Sequence, residues 1–475
     1  MAQPTAVILV VGLTRGVIGE HTPRLRDFAA QGEVRTLIPV LPAVTCSVQA
    51  SMLTGEAVGG ERGHGIVGNG WYDRELAEVH FWKQSNRLVG GEKVWETSAR
   101  KGARKGGRDA RVTCANVCWW YNMYSSVEYS LTPRPMYKAD GRKVPDCHTF
   151  PSELREYVQG ELGRFPLFQF WGPGASIRSS KWIGDAARLI VARHRPTLTL
   201  VYLPHLDYAH QKHGPDAPES RAAATEVDGV FGELVDFLRG RGIRPVVVSE
   251  YGIEPVSRAI PINRLLREAG FLAVRSEEGL EVLDAGASAA FAVADHQVAH
   301  VYVRDVAQVE GVAGVLSATA GIERCLNRGE MRAAGLDHRR AGDLLVVAAE
   351  GTWFSYAWWM DDARAPDFAR TVDIHRKPGY DPLELFLDPS IRFPKLMIAR
   401  KLLLRKLGSR TLMDVIPLDT SLVRGSHGRV SVRPEHRPVL ITEKKLLDAP
   451  ETLSCQVVRD VILAHLFDET RLPET

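Results

Sequence analysis

Residues 41–69, LPAVTCSVQASMLTGEAVGGERGHGIVGN, decide how this chain is read. An apolar, strand-like run from Thr36 to Leu41 leads into a proline, and a helix-compatible segment, Cys46 to Leu53, follows and is closed by Thr54 and Gly55. Thr45 therefore falls at a helix N-terminus, where free backbone N–H groups and the helix dipole favour an anion such as a phosphoryl group. A nucleophile for a phosphate ester belongs at such a place. The plainer alternative is that Thr45 only caps the helix, a role threonine often fills. The rest of the chain has to separate the two.

The chain has 475 residues, 45% hydrophobic and 25% charged, enough for one large core with smaller appended parts. Lys and Arg number 60 against 57 Asp and Glu, a net charge of +3. Such a near-neutral balance makes no global case for a nucleic-acid polymer or a membrane as partner. The basic stretch Arg100 to Arg111 could touch an anionic ligand, but it contains several glycines and reads as a solvated loop. Six scattered cysteines form no CxxC pair, which suits reduced thiols in a cytoplasmic protein. The run from Ala6 to Leu13 has no basic segment before it and is short and strand-like, so it is read as a strand and not as an export or membrane signal.

Apolar runs rich in β-branched residues recur at Ala6–Val11, Thr197–Leu203, Arg244–Ser249, Ala299–Val303, Asp343–Ala348 and Pro438–Ile441. Apolar residues at every position suit parallel strands buried on both faces. Helical periodicity lies between them, as in Ala222–Leu238 and Val457–Leu466. The expectation is an α/β fold, a central mostly parallel sheet with helices on both faces. Ligands of such sheets bind beyond the carboxyl ends of the strands. The residues at those ends are Val11-Gly12, Pro42 to Thr45, the segment PHLDYAHQKHGP after Leu203, and Glu250-Tyr251-Gly252, with Gly425-Ser426-His427-Gly428 brought in by a late loop.

In this order the pieces resemble the alkaline phosphatase superfamily, and within it the type I phosphodiesterase/nucleotide pyrophosphatase branch. The matching residues are Thr45, Thr54-Gly55, His64-Gly65-Ile66 with Gly68-Asn69, Asp207 with Gly214-Pro215, Ser249 to Gly252, and His427-Gly428. The resemblance implies that Thr45 is the nucleophile and that Asn69 helps to hold a phosphate oxygen. It implies that Asp207 and His427 belong to one metal site and Glu250 to another. Two zinc ions would then activate the nucleophile and polarise the phosphate. The chain departs from the pattern at three of six ligand positions: Val11 stands where an aspartate is expected, Gln211 and Tyr251 where histidines are. His205, two residues before Asp207, would point the same way on an extended segment. His210, Asp295 and His296 are further candidates for a rebuilt site of one or two divalent ions, although Asp-His neighbours are also common structural pairs.

Residues 70–175 are aromatic-rich and are expected to form an inserted cap on a single domain of residues 1–475, with 351–390 as a second insertion near the site. The aromatic rings could stack on a base or simply pack. His375, Arg376 and Lys377 could neutralise a phosphate or carboxylate of a substrate, or belong to a surface ion-pair cluster. The leading expectation is a metal-dependent hydrolase of a small-molecule phosphodiester or phosphate ester. The alternative is a divergent superfamily member that binds a ligand or partner. A phosphomutase fits less well, because those relatives use serine where Thr45 stands. Oligomeric state is left open by the sequence.

Overall fold

The computed structural model describes residues 2–106, 111–444, 449–469 and 472. Seven strands of the central sheet come first: β1 (Thr5–Val10), β2 (Glu33–Ile38), β3 (Cys114–Val117), β4 (Tyr129–Pro133), β5 (Cys147–Phe150), β6 (Leu198–Leu203) and β7 (Arg244–Val248). A second, four-stranded sheet follows: β8 (Ala290–Asp295), β9 (Val298–Val303), β10 (Ile322–Asn327) and β11 (Leu344–Ala348). The chain then returns to the central sheet with β12 (Val439–Thr442) and β13 (Thr452–Ser454). The central sheet has nine strands in the order β13-β2-β12-β7-β1-β6-β3-β4-β5. Its middle, from β7 through β1, β6 and β3 to β4, is parallel.

The helices that matter below are α1 (Thr45–Thr54), α2 (Val94–Gly106), α3 (Ile177–His194), α4 (His205–His213), α5 (Pro218–Arg239), α6 (Pro394–Lys406) and α7 (Val458–Leu466). Residues Val48 and Met52 of α1, Ile183 and Ile190 of α3, Val227 and Phe231 of α5, and Val461 and Ile462 of α7 share one buried cluster with the strands. Every residue of β1 and β6 is buried. At roughly 1.5–3 kcal/mol for each large aliphatic side chain, this burial is the main force holding the strand ends in place.

Several expectations need correction. Pro438–Ile441 corresponds to β12, which runs antiparallel to both of its neighbours, β7 and β2. Ala299–Val303 and Asp343–Ala348 belong to β9 and β11 of the separate sheet, whose pairings are all antiparallel. Their continuous apolar pattern reports burial on both faces, and strand direction is a separate matter. Residues 70–175 are not a cap laid on the sheet, since they supply β3, β4 and β5. Their aromatic residues include core side chains such as Trp95 and Trp119. Arg100 does not start a loop: α2 continues to Gly106, anchored by buried Val94, Trp95 and Ser98, and residues 107–110 lie outside the described residues. The segment after Leu203 folds as helix α4 and is not extended.

Candidate active site

Helix α1 starts at Thr45 itself. Val44 is the N-cap residue, in extended conformation, and no side chain caps the helix. The Thr45 hydroxyl is therefore not used for capping. It donates to Glu250 Oε1 at 3.2 Å and lies 3.1 Å from the phenol oxygen of Tyr251. Glu250 stands just beyond β7 and is fully buried. Its other oxygen accepts from Gln49 Nε2 at 2.9 Å. Gln49 lies four residues after Thr45, one turn along the same helix face. Its carbonyl oxygen in turn accepts from the Trp120 backbone N–H at 2.8 Å, which fixes the amide's orientation.

A second branch runs from Tyr251 to Asp207, with 3.4 Å between the phenol oxygen and Oδ1. Asp207 Oδ2 accepts from Gln211 Nε2 at 2.8 Å, an i,i+4 contact within α4. Tyr380 donates to the Gln211 carbonyl oxygen at 2.8 Å. The third branch enters from the other sheet. Asp295 ends β8, and its carboxylate accepts from both the backbone and the side-chain N–H of Asn69, at 2.8 and 3.0 Å. Asn69 Oδ1 then accepts from the Cys46 backbone N–H at 3.0 Å, in the first turn of α1.

His427 is wedged between these branches. Its Nδ1 bonds to Ala43 O at 2.9 Å, and its Nε2 lies 4.0 Å from Asp207 Oδ1. The ring is stacked on Tyr251 with centroids 3.6 Å apart, and His296 lies 3.7 Å away on a tilted plane. Gly428 has φ +121°, and a Cβ there would come within 3.0 Å of Gln297 N. Only glycine lets the chain turn against the β8–β9 hairpin tip immediately after His427.

The structure thus brings Thr45, Asn69, Asp207, Glu250, Asp295, His296 and His427 into one buried cluster. His205 is not in it. Two residues on a helix point to different sides, and His205 reaches Glu226 on α5 at 2.8 Å. His210 is buried against the Gly12 turn, and its Nδ1 has no partner among the described residues. His375 contacts Phe81 O at 3.2 Å. Arg376 pairs with Asp367 at 3.4 Å, and Lys377 is buried between Asp381 and Glu384 at 2.7 and 2.9 Å. These three side chains already have partners of their own.

Gln49 and Tyr380 are site residues that the sequence reading did not single out. Helical spacing from Thr45 points to Gln49; nothing local points to Tyr380, which arrives through the packing of residues 351–390. Buried Tyr380 stacks on His296 at 3.6 Å and lies between the half-buried rings of Trp171 and Trp82, the latter continuing to half-buried Trp120. In contrast, Trp353, Phe354, Tyr356, Trp358 and Trp359 are buried and pack.

Burial dominates the electrostatics. It raises Asp207 to about 7, Glu250 to about 8 and Asp295 to about 6, against the weaker opposing pull of their hydrogen bonds. Burial also holds His296 and His427 well below the usual imidazole range. Among the described residues, no lysine or arginine pairs with the three carboxyl groups. A group that keeps its proton more tightly when folded stabilises the fold most at low pH, and that stability is lost as pH rises through the folded value. We therefore expect the unfolding free energy to fall between about pH 4 and 8, by up to about 1.4 kcal/mol per pH unit for each of Asp207 and Glu250. Denaturant titrations across that range should show this slope, and Asp207→Asn with Glu250→Gln should flatten it.

The donor set does not fit a pair of zinc ions. Among the described residues, no three His, Cys, Asp or Glu side chains are grouped so as to hold a metal. Val11 has no donor atom, Tyr251 is pushed well above its ordinary range and stays neutral, and Gln211 is committed to Asp207 and Tyr380. Glu250, Asp295 and His296 share the cluster but, among the described residues, none is grouped with Asp207 and His427 as a third ligand, short of the three or four that a zinc ion takes.

Comparison with known proteins is consistent across sequence and structure. The model of the type I phosphodiesterase/nucleotide pyrophosphatase family matches residues 5–381. A pyrophosphatase/phosphodiesterase of Schizosaccharomyces pombe, itself uncharacterised, is 27% identical over 256 residues, 52% of this chain and 42% of that protein. The chain thus spans less than half the length of this relative. Phosphonoacetate hydrolase of Sinorhizobium meliloti, solved with phosphonoformate, superposes with a TM-score of 0.61 at 16% identity, covering 98% of this chain and 96% of the other. Murine ectonucleotide pyrophosphatase/phosphodiesterase 5, an inactive threonine-to-alanine variant with AMP, superposes with a TM-score of 0.58 at 14% identity, covering 100% and 97%. At these identities the two structures speak for the fold.

Proposed function

Because this chain belongs to the type I phosphodiesterase/nucleotide pyrophosphatase family, whose members are phosphoester hydrolases, we propose that it cleaves a small-molecule phosphodiester or phosphoanhydride with Thr45 as nucleophile and Glu250 as general base. The observation that carries this reading is the 3.2 Å hydrogen bond from the Thr45 hydroxyl to Glu250, whose second oxygen is held by Gln49. A nucleophile, a base within reach and a third group orienting the base is the arrangement that activates a hydroxyl. The Thr45 oxygen forms the bond to phosphorus while its proton passes to the Glu250 carboxylate, and the leaving group departs with the electron pair of the broken P–O bond. Glu250 loses that proton to solvent; water then attacks the phosphorus of the phosphoryl-threonine while the carboxylate takes its proton, and the P–O bond to Thr45 breaks as Glu250 returns the proton to the threonine oxygen.

The first turn of α1 and the Asn69 amide are the groups that favour the phosphoryl oxygens. Three buried carboxyl groups with no cationic partner disfavour a dianion more than a monoanion, so a diester is preferred to a monoester. Leaving groups stable as anions, such as an aryloxide or a phosphate, suit a site without a metal to stabilise them. The ring row of Tyr380, Trp171, Trp82 and Trp120 supports an aromatic substituent on the substrate. This is narrower than the metal-dependent hydrolase expected from the sequence, and it leaves out the paired zinc ions.

We expect hydrolysis of an aryl phosphodiester by protein exhaustively treated with a chelator to retain more than about half of its rate, since no step uses a metal. Loss of the rate on chelation and its return with zinc would replace this reading with the metal-dependent one. A second reading, ligand binding without turnover, is favoured by the Tyr251 phenol, which touches Thr45 and fills the space towards Asp207. It predicts saturable binding of an aryl phosphorothioate diester together with no hydrolysis by the wild type.

A further inference from the structure

The chain leaves the body after Asp388 and re-enters it at Val415. The Asp388 N–H donates to Val415 O at 2.8 Å, so the ends of the excursion are tied together. None of residues 389–414 is buried. Helix α6 forms the first half of this protrusion, with the sequence PKLMIARKLLLRK.

At 3.6 residues per turn, Leu396, Ala399, Leu403 and Leu407 follow one another along a single face of α6 and its end. That face points outward: Leu396 is 69% exposed, Leu403 57% and Leu407 73%. Phe393, also exposed, immediately precedes the helix at its N-terminal end. Met397, Ile398 and Leu404 are turned inward and half-buried. Lys395 and Lys406 flank the stripe on one side and Arg400 on the other.

Residues 389–413 hold seven cations, Arg392, Lys395, Arg400, Lys401, Arg405, Lys406 and Arg410, and no Asp or Glu. The whole chain carries only +3, so the remainder is net negative. Lys401 pairs with Asp414; Arg392, Lys395, Arg400, Lys406 and Arg410 enter no ion pair among the described residues. A protrusion that exposes leucines and concentrates unpaired positive charge is costly in water and calls for a partner.

We propose that residues 389–413 dock the protein on an anionic lipid surface. Helix α6 lies flat, with Leu396, Leu403 and Leu407 at the acyl boundary and the flanking cations among the headgroups. At 13 residues and about 1.5 Å per residue, α6 is far too short to span a bilayer. Charge complementarity selects this occupant. A second copy of the chain would bring an equally cationic face against the first. A nucleic-acid backbone would satisfy the cations and leave the leucines in water. The sequence reading expected no membrane partner from the near-neutral overall charge; this local concentration is what that average conceals.

The test uses the full chain in sedimentation with vesicles of phosphatidylcholine alone and of phosphatidylcholine mixed with phosphatidylglycerol. Binding to the mixed vesicles should be at least about tenfold tighter and should weaken with salt. Leu403→Ser with Leu407→Ser, and separately Lys395→Glu with Arg400→Glu and Lys406→Glu, should each lose at least about tenfold of it. Thermal unfolding and aryl diester hydrolysis should be unchanged, because none of these side chains touches the cluster around Thr45. The proposal is overturned by absent or equal binding to the two vesicles, by anionic binding indifferent to the leucine variant, or by a concentration-dependent dimer that the leucine variant abolishes.

Discussion

The Thr45→Ala protein is expected to lose at least about 10³-fold of its rate on an aryl phosphodiester, because among the described residues no other hydroxyl is placed to form the covalent intermediate. The Ser47 hydroxyl, the nearest on α1, is bonded to Pro42 O at 2.6 Å and to Val44 O at 3.1 Å, so it faces back along the chain. Tyr251 is close but is held neutral by burial, and its phenol is shared with Asp207. Thr45→Ala keeps the Gln49–Glu250 contact, so its unfolding should stay within about 1–2 kcal/mol of the wild type. Thr45→Ser should retain much of the rate, since it keeps the hydroxyl and loses only a methyl group. Steady-state kinetics on the three proteins decide the matter, and undiminished turnover in Thr45→Ala would remove the nucleophile assignment.

The second large effect concerns Glu250. As a base it must be ionised, and burial raises it to about 8, with Asp207 nearby adding to the shift. Turnover should therefore rise about tenfold per pH unit through neutrality and level off above about pH 8. Glu250→Gln keeps the shape and a partner for Thr45 but cannot take a proton. Its rate should fall by about 10²–10⁴ at the plateau, and the pH dependence should flatten. An unchanged profile in Glu250→Gln would assign the proton transfer elsewhere. The same titration that makes the base competent removes stability from the fold, so the pH range of fastest turnover should also be the range of lower stability.

The parallel core and the strand-end location were legible in the sequence because both rest on local signals. Ala6–Val11 and Leu198–Leu203 are buried throughout, as continuous apolar runs require, and the strand-end rule brings Thr45, Asp207 and Glu250 together. Strand direction was not legible from the same pattern, as Pro438–Ile441 demonstrates, since burial on both faces looks the same whichever way a neighbour runs. A strand repeat would put His205 on the same side as Asp207, but the segment is a helix, on which residues two apart face different sides. Reading α4 at helical spacing pairs Asp207 with Gln211 instead, as observed at 2.8 Å. Asp295 and His296 join from a separate sheet, and their place beside Asn69 and His427 depends on how the two sheets pack, which no local pattern encodes. The cations of residues 389–413 do not show in the net charge, because acids elsewhere balance them, and they are interleaved with leucines.

In the proposed reaction Thr45 reacts through Glu250 in a site that does not require paired metal ions. The most direct measurement is acid quenching of chelator-treated protein during turnover of an aryl phosphodiester, followed by mass spectrometry of the peptide that contains Thr45. A phosphoryl ester on Thr45 is expected in the wild type and none in Thr45→Ala. An adduct that forms only after two zinc ions per chain have been restored would contradict this expectation.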